Sequence, residues 1–353
     1  MAAAPAPEVG VFSPGRVAVI TGAAGGIGFA VAAACGRRGM RVALADVNPQ
    51  ALEEARARLA AELGEERVLA QPCDVSSEHE VKVLKEAVYK QWGEVSFLHL
   101  NAGVGGGGAS VASTRLKDWE RNIGVNLYGV THGLRAFLPA MQAQGSACAV
   151  AATASWAGLF NAATFSGVPY VVSKTGAVLV MEALHYELRR TEGCRVTAHV
   201  LCPGRVDTNM LVGARAVPPA LRRRPRTDTA GMPVGVDEHR RPSYAPELRG
   251  IADPKERAER EAQLARASRQ AAEGAMPPAE MAAVLLDAVE ADRFYVLGHD
   301  AQQPLAWLKA LARLRAEDIV HERPPLSHRT REGAEQRRQL REAMGRGRAG
   351  SRL

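Results

Sequence analysis

The chain has few of the residues that build disulfide frameworks or metal centres. Its five cysteines, Cys35, Cys73, Cys148, Cys194 and Cys202, form no Cys-x-x-Cys pair and show no metal-ligand spacing. An odd set lying mostly in apolar stretches points to buried reduced thiols in a reducing compartment, and no metal site is expected. Aromatic residues make up only 5% of the sequence, and none falls within residues 323–353. That absence removes the stacking side chains of a nucleic-acid arm from the most basic part of the chain. No stretch approaches the roughly 18 apolar residues of a membrane span. The opening residues MAAAPAPEVG lack both a basic start and an apolar run, so neither a signal peptide nor an anchor is expected there. Together these absences predict a soluble, cytoplasmic protein with no membrane span and no nucleic acid partner.

What is present is an ordinary globular balance of 46% hydrophobic and 24% charged residues. At 353 residues the chain is long for one domain, yet single-sheet α/β enzymes often reach about 250, so one large core with an appendage fits. The formal charge is +7, but nine arginines against three glutamates sit in residues 323–353, which leaves the core near neutral. A tail that mixes arginine, glycine and glutamate reads as a solvated, disordered segment.

Short apolar runs at residues 16–21, 41–46, 67–73, 95–100, 147–153 and 195–202 alternate with helical periodicity. The helical stretches cover residues 29–38, 51–63, 78–92, 119–144 and 171–191. Such alternation predicts a doubly wound parallel sheet with helices on both faces, a Rossmann-like α/β fold in a single core domain. After Met210 the alternation stops, and a proline- and arginine-rich segment spans residues 215–254. Helices are expected at 254–273 and 277–292, a last strand at 293–297, and an amphipathic helix at 306–315. The expected organisation is a flexible start at 1–12 and a catalytic core at 13–300 that contains a substrate-side insertion at 211–276. An amphipathic C-terminal helix at 301–322 and a basic tail at 323–353 follow.

Thr21 to Gly28 (TGAAGGIG) lies between a predicted strand and a predicted helix. Gly22, Gly26 and Gly28, with Ile27, let a backbone approach a pyrophosphate at a helix N-terminus, where unpaired N–H groups favour anions. Asp46 ends the next strand, where a carboxylate accepts from adenosine ribose hydroxyls and repels a 2′-phosphate, so NAD is favoured over NADP. Tyr170 and Lys174 stand one helical turn apart, and an ammonium there favours phenolate, pulling the tyrosine toward working pH. Ser155 follows a predicted strand, where a hydroxyl can hold a substrate oxygen beside Tyr170. Each also has a plain structural reading: a turn glycine, a turn or capping aspartate, a surface pair, a turn serine.

Taken jointly, these motifs resemble those of the short-chain dehydrogenase/reductases, over about residues 13–211 and more loosely to about 300. Thr21 to Gly28 resembles that family's TGxxxGIG turn, Cys73-Asp74-Val75 its Asp-Val contact to adenine, and Asn101-Ala102-Gly103 its NAG motif. Asn126 is similar to its helix asparagine, and Ser155, Tyr170 and Lys174 to its catalytic residues. Pro203, Gly204, Val206 and Thr208 match the segment after the sixth strand. The resemblance implies a seven-stranded parallel sheet and an oxidoreductase acting on an alcohol/ketone pair. By the same resemblance, Tyr170 is expected to transfer the proton, Ser155 to hold the oxygen, Lys174 to serve the phenol and the ribose, and Asn126 to hold a water. Thr208 and the backbone near Val206 are expected, on that resemblance, to bind the carboxamide. It also implies a homodimer or homotetramer formed through helices around Asn126 and Tyr170.

The chain departs from the family at His99-Leu100-Asn101, where a double asparagine is more usual, at Ala154, and in the longer gap from Ser155 to Tyr170. Apolar candidates for the pocket are Trp156, Leu159, Phe160, Phe165, Met210 and Leu211, which suit a hydrophobic secondary alcohol or ketone. A dinucleotide-binding sensor or interaction module on the same fold is the alternative of a different class. The helix at 306–315 offers Trp307, Leu308, Leu311 and Leu314 for core or subunit packing, with membrane-surface attachment as the other reading.

Overall fold

The computed structural model describes residues 9–106, 110–160, 167–208, 273–300 and 304–322, with positions 253, 259, 335 and 338. The expected helix at 254–273, most of the 211–276 insertion and the 323–353 tail lie outside the described residues but for those isolated positions. Phe165, Met210 and Leu211 also lie outside them.

Seven parallel strands form one sheet: β1 (Val17–Thr21), β2 (Arg41–Asp46), β3 (Val68–Pro72), β4 (Phe97–Leu100), β5 (Cys148–Thr153), β6 (Val196–Cys202) and β7 (Tyr295–Leu297). Their order is β3-β2-β1-β4-β5-β6-β7, so the chain reverses its direction of winding between β1 and β4. In an open sheet, ligands bind outside the strands' carboxyl ends at such a reversal. The expected doubly wound, Rossmann-like single core is the observed one.

The helices are α1 (Gly26–Arg37), α2 (Pro49–Leu63), α3 (Glu78–Trp92), α4 (Leu116–Ile123), α5 (Gly129–Ala143), α6 (Val168–Arg190), α7 (Pro278–Glu290) and α8 (Leu305–Val320). Their starts are set locally. Asn48 caps α2 by accepting from the Ala51 N–H at 3.2 Å, and Pro49 follows it. Ser77 caps α3 by accepting from Glu80 at 3.3 Å, and Glu80 reaches back to the Asp74 N–H at 2.8 Å. The sheet side chains alternate. Val17, Val19, Leu98, Leu100, Val150 and Ala152 face a cluster with α3, α5, α6 and α8. Ala18, Ile20, Phe97, Ala149 and Ala151 face a second cluster with α1, α2 and α7. Both faces are therefore dry, as a parallel sheet requires.

Two elements differ from expectation. The helix read at 119–144 runs from 116 to 143 but opens into a π-helical turn, Gly124–Tyr128, at its centre. Periodicity does not register one wide turn within a helical run. The helix read at 306–315 extends to Val320, because the residues after Arg315 carry no glycine or proline stop. Trp307, Leu308 and Leu311 are buried in the core cluster that includes Trp156, so this helix packs on the core. Among the described residues no helix is long and apolar enough to cross a membrane, and no cluster of metal-ligating side chains occurs.

Candidate active site

The carboxyl ends of β1, β4 and β5 meet at the reversal point, and the glycine turn begins there. Gly22 has φ +65, and a Cβ on it would lie 2.8 Å from the Ala102 Cα. A Cβ on Gly28 would lie 2.3 Å from the Gly22 carbonyl oxygen, so neither position tolerates a side chain. Gly25 is the opposite case, since a Cβ there meets nothing within 4 Å, and its outward side is open to a ligand. The turn leads straight into α1, which starts at Gly26, earlier than the expected Phe29. Thr208 packs over it: a Cβ on Gly26 would lie 3.0 Å from the Thr208 Cγ2. Ile27 is half-buried in the first turn of α1.

Asp46 ends β2 beside this turn. One carboxylate oxygen accepts from the Ala24 N–H at 3.1 Å and the other from the Asn48 N–H at 3.0 Å. Burial raises its pKa above the ordinary carboxylate value, against the pull of its backbone hydrogen bonds. A carboxylate offers about four lone-pair directions, so acceptor capacity remains after these two bonds. Asp74 and Val75 follow β3. The Asp74 side chain accepts from Ser76 N and Ser76 Oγ, and Val75 is buried.

Asn101, Ala102 and Gly103 continue from β4. The Asn101 amide donates to the Thr21 carbonyl at 3.0 Å and the Gly22 carbonyl at 3.3 Å. Thr21 Oγ1 accepts from the backbone N–H of Asn101 and Ala102, at 2.9 and 3.1 Å. Asn126, in the π turn and fully buried, accepts from the Val104 N–H at 2.8 Å. Its amide donates to the Val104 carbonyl and to Ser173 Oγ, both at 2.9 Å. The wide turn thus clamps the segment after β4 to α6.

Ser155, Tyr170 and Lys174 come together at the end of β5. Ser155 Oγ accepts from the Ala157 N–H at 3.2 Å, and the Ser155 side chain lies close enough to the Tyr170 phenol to favour its ionised form. Lys174 is 2% exposed, and its Nζ donates to the Thr153 carbonyl at 2.6 Å. It lies 5.9 Å from the centre of the Tyr170 ring. Burial lowers the Lys174 pKa to about 8. The expected downward pull on the phenol is not the dominant effect here. Burial raises the Tyr170 pKa above 10, and the Ser155 side chain opposes it. Desolvation disfavours the charged form of both groups and is the largest effect on each.

Pro203, Gly204 and Val206 follow β6. The Gly204 N–H donates to the Gly298 carbonyl at 3.1 Å, and Val206 pairs with Met276. Trp156 is buried in the core cluster, with Phe160 half-buried and edge-on to it at 6.4 Å. Trp156 therefore sits mainly in the core, whereas Leu159 and Phe160 are the part-exposed members of the expected pocket wall.

Residues 16–217 match the family described as short chain dehydrogenase. The chain belongs to the short-chain dehydrogenase family. A 1-deoxy-11-beta-hydroxypentalenate dehydrogenase from Streptomyces exfoliatus is 35% identical over 202 residues, covering 57% of this chain and 71% of that one. A solved short-chain dehydrogenase/reductase from Burkholderia phymatum, in complex with NAD, superposes with TM-score 0.69 at 32% identity. It covers 90% of this chain and 98% of that one. An actinorhodin polyketide ketoreductase solved with NADPH superposes with TM-score 0.58 at 26% identity, over 80% of this chain and 96% of that one. This short-chain dehydrogenase is accordingly an oxidoreductase on a Rossmann-like nucleotide-binding fold.

Some members of the site had no sequence signal. Arg205 and Asp300 are 95 positions apart, yet the Arg205 guanidinium meets the buried Asp300 carboxylate at 3.3 Å and ties the segment after β6 to the end of β7. Arg315 of α8 donates to the Leu159 carbonyl at 3.1 Å, bracing the wall beyond Ser155. Nothing short of the fold brings these pairs together.

Proposed function

We propose that this enzyme is an NAD-dependent alcohol dehydrogenase/ketoreductase acting on a hydrophobic secondary alcohol or ketone. The observation that carries the proposal is the placement of the buried Tyr170 phenol beside Ser155, with Lys174 one turn away on α6. When bound, NAD supplies the hydride acceptor and a cationic nicotinamide ring. Gly22, Gly26, Ile27 and Gly28 form the pyrophosphate side of the cradle, which the open space at Gly25 suits. Asp46 takes the adenosine ribose, and Asp74 and Val75 take the adenine. Asn101, Ala102 and Gly103 line the floor, and Pro203, Gly204, Val206 and Thr208 close over the nicotinamide side.

In the proposed reaction Ser155 holds the substrate oxygen and Tyr170 exchanges its proton, a general acid/base role. Lys174 holds the nicotinamide ribose and adds positive charge against the burial that keeps the phenol protonated. Because the Asn126 amide is already engaged, Asn126 enters as a positioning residue for Val104 and Ser173. The relatives' hydroxy and keto chemistry supports the reaction class, and Leu159 and Phe160 support a hydrophobic substrate.

A homodimer or homotetramer is part of the proposal. Val172, Leu179 and Tyr186 recur at every seventh position of α6 and are 44%, 58% and 68% exposed, an apolar stripe along one face. Tyr128, beside Asn126, is 53% exposed. Light scattering of Leu179→Glu is expected to show a smaller assembly than the wild type. An unchanged mass would remove this face as the interface.

The cofactor reading is tested by titrating NADH and NADPH into the protein and following fluorescence. Asp46 is expected to make NADH bind at least about tenfold tighter, a difference of about 1.4 kcal/mol. Equal affinities or a preference for NADPH would overturn its role.

The chemical role is tested with Tyr170→Phe, which keeps the ring and removes the ionisable hydroxyl. NADH binding is expected to persist, while kcat on the best alcohol of a secondary-alcohol panel falls by about 10²–10⁴. Since alcohol oxidation needs the basic form of the phenol, wild-type oxidation rises with pH and ketone reduction falls. A Phe variant keeping more than a tenth of kcat would exclude Tyr170 as the acid/base.

A further inference from the structure

His99 and Thr153 are both buried, on the face of the sheet that carries Phe97 and Ala151, where neighbouring strand positions are apolar. Two polar side chains in such a place need a reason. They are bonded to one another, with His99 Nε2 and Thr153 Oγ1 2.8 Å apart. Thr153 Oγ1 also lies 3.0 Å from Asn101 Oδ1, an atom that only accepts, because the Asn101 amide nitrogen donates to the carbonyls of Thr21 and Gly22. The single hydroxyl proton of Thr153 therefore goes to Asn101, and the proton between Thr153 and His99 comes from the imidazole. This fixes His99 as the Nε2–H tautomer, with Nδ1 bare. Nδ1 is indeed buried with no hydrogen-bond partner. Burial lowers the His99 pKa to about 3, so the ring is neutral at working pH.

We infer that His99 and Thr153 are positioning residues for the cofactor. A directed chain of donors, from the His99 imidazole through the Thr153 hydroxyl and the Asn101 amide, holds the Thr21 and Gly22 carbonyls and so sets the dinucleotide turn. The chain starts far from that turn in sequence, 78 positions from Thr21 to His99, and closes on itself: Thr21 Oγ1 donates to the His99 carbonyl at 3.5 Å. It also reaches the catalytic side, because Lys174 Nζ donates to the carbonyl of the same Thr153. Thr153 is thereby shared, its hydroxyl serving the cofactor turn and its carbonyl serving Lys174. The imidazole supplies what a valine or leucine at position 99 could not, a fixed direction for the threonine proton. The inference rests on the NAD-binding reading given above.

The test separates positioning from plain stability. Thr153→Val and His99→Leu each leave a buried partner unsatisfied, so both single variants are expected to melt lower than the wild type. The double variant removes the unpaired imidazole N–H but still leaves Asn101 Oδ1 without its donor, so it is expected to recover part of the loss seen in Thr153→Val. NADH affinity, read by fluorescence titration of the full chain, is expected to behave differently. It should fall about fivefold in Thr153→Val, the size of one lost hydrogen bond. It should stay low in the double variant, although neither residue is proposed to touch the cofactor. Thr153→Ser, which keeps the hydroxyl, should restore it. If NADH affinity tracks melting temperature across the set, or is unchanged in Thr153→Val, the pair is a structural filler and the inference is overturned. A wild type that binds no NADH would overturn the cofactor reading itself and this inference with it.

Discussion

A parallel sheet ends in a row of carbonyl groups that no further strand pairs, and in this protein the reversal point between β1 and β4 leaves several of them under cover. The Thr21, Gly22 and Thr153 carbonyls are each met by a side-chain donor, Asn101 for the first two and Lys174 for the third. An unmet carbonyl there would carry a desolvation penalty of roughly 1–3 kcal/mol. The same donors are the ones the proposed chemistry uses. The requirement to satisfy the sheet's end and the requirement to build a site thus select the same residues.

The burial that makes this edge rigid also sets its charges. Lys174 is held with a lowered pKa and Tyr170 with a raised one, so both groups lean toward their neutral forms. For Tyr170 to give up its proton, the positive charge of Lys174 and of a bound nicotinamide has to offset desolvation. Lys174 meanwhile stays anchored on β5 through Thr153. Around this centre the remaining ties are clamps: Asn126 on Val104 and Ser173, Arg205 on Asp300, and Arg315 on Leu159. They fix segments that leave the carboxyl ends of different strands.

Much of this was legible in the sequence. The strand at 41–46 and the helix at 78–92 are observed with those bounds, because a continuous apolar run and the Ser77 cap mark them locally. The glycine turn was readable because its close contacts admit no side chain. The π turn was not, since a single wide turn leaves the apolar periodicity of a helix nearly unchanged. The His99–Thr153 bond and the Arg205–Asp300 pair were invisible for another reason. Each joins residues far apart in the chain, 54 and 95 positions, that only the sheet order makes neighbours. The stretch His99-Leu100-Asn101 did stand out as a departure from the family pattern, but the partner of His99 could not be named without β5 beside β4. Trp156 read as pocket wall from its place after Ser155, yet its side chain belongs to the buried core cluster.

In the proposed reaction a hydride passes directly between the substrate carbon and the nicotinamide. The most direct measurement incubates the enzyme with NAD and secondary alcohols deuterated at the carbinol carbon, then weighs the reduced cofactor by mass spectrometry. One deuterium is expected in each reduced cofactor, and none from deuterated water. Reduced cofactor without deuterium, or none formed with any alcohol of the panel, would contradict this transfer.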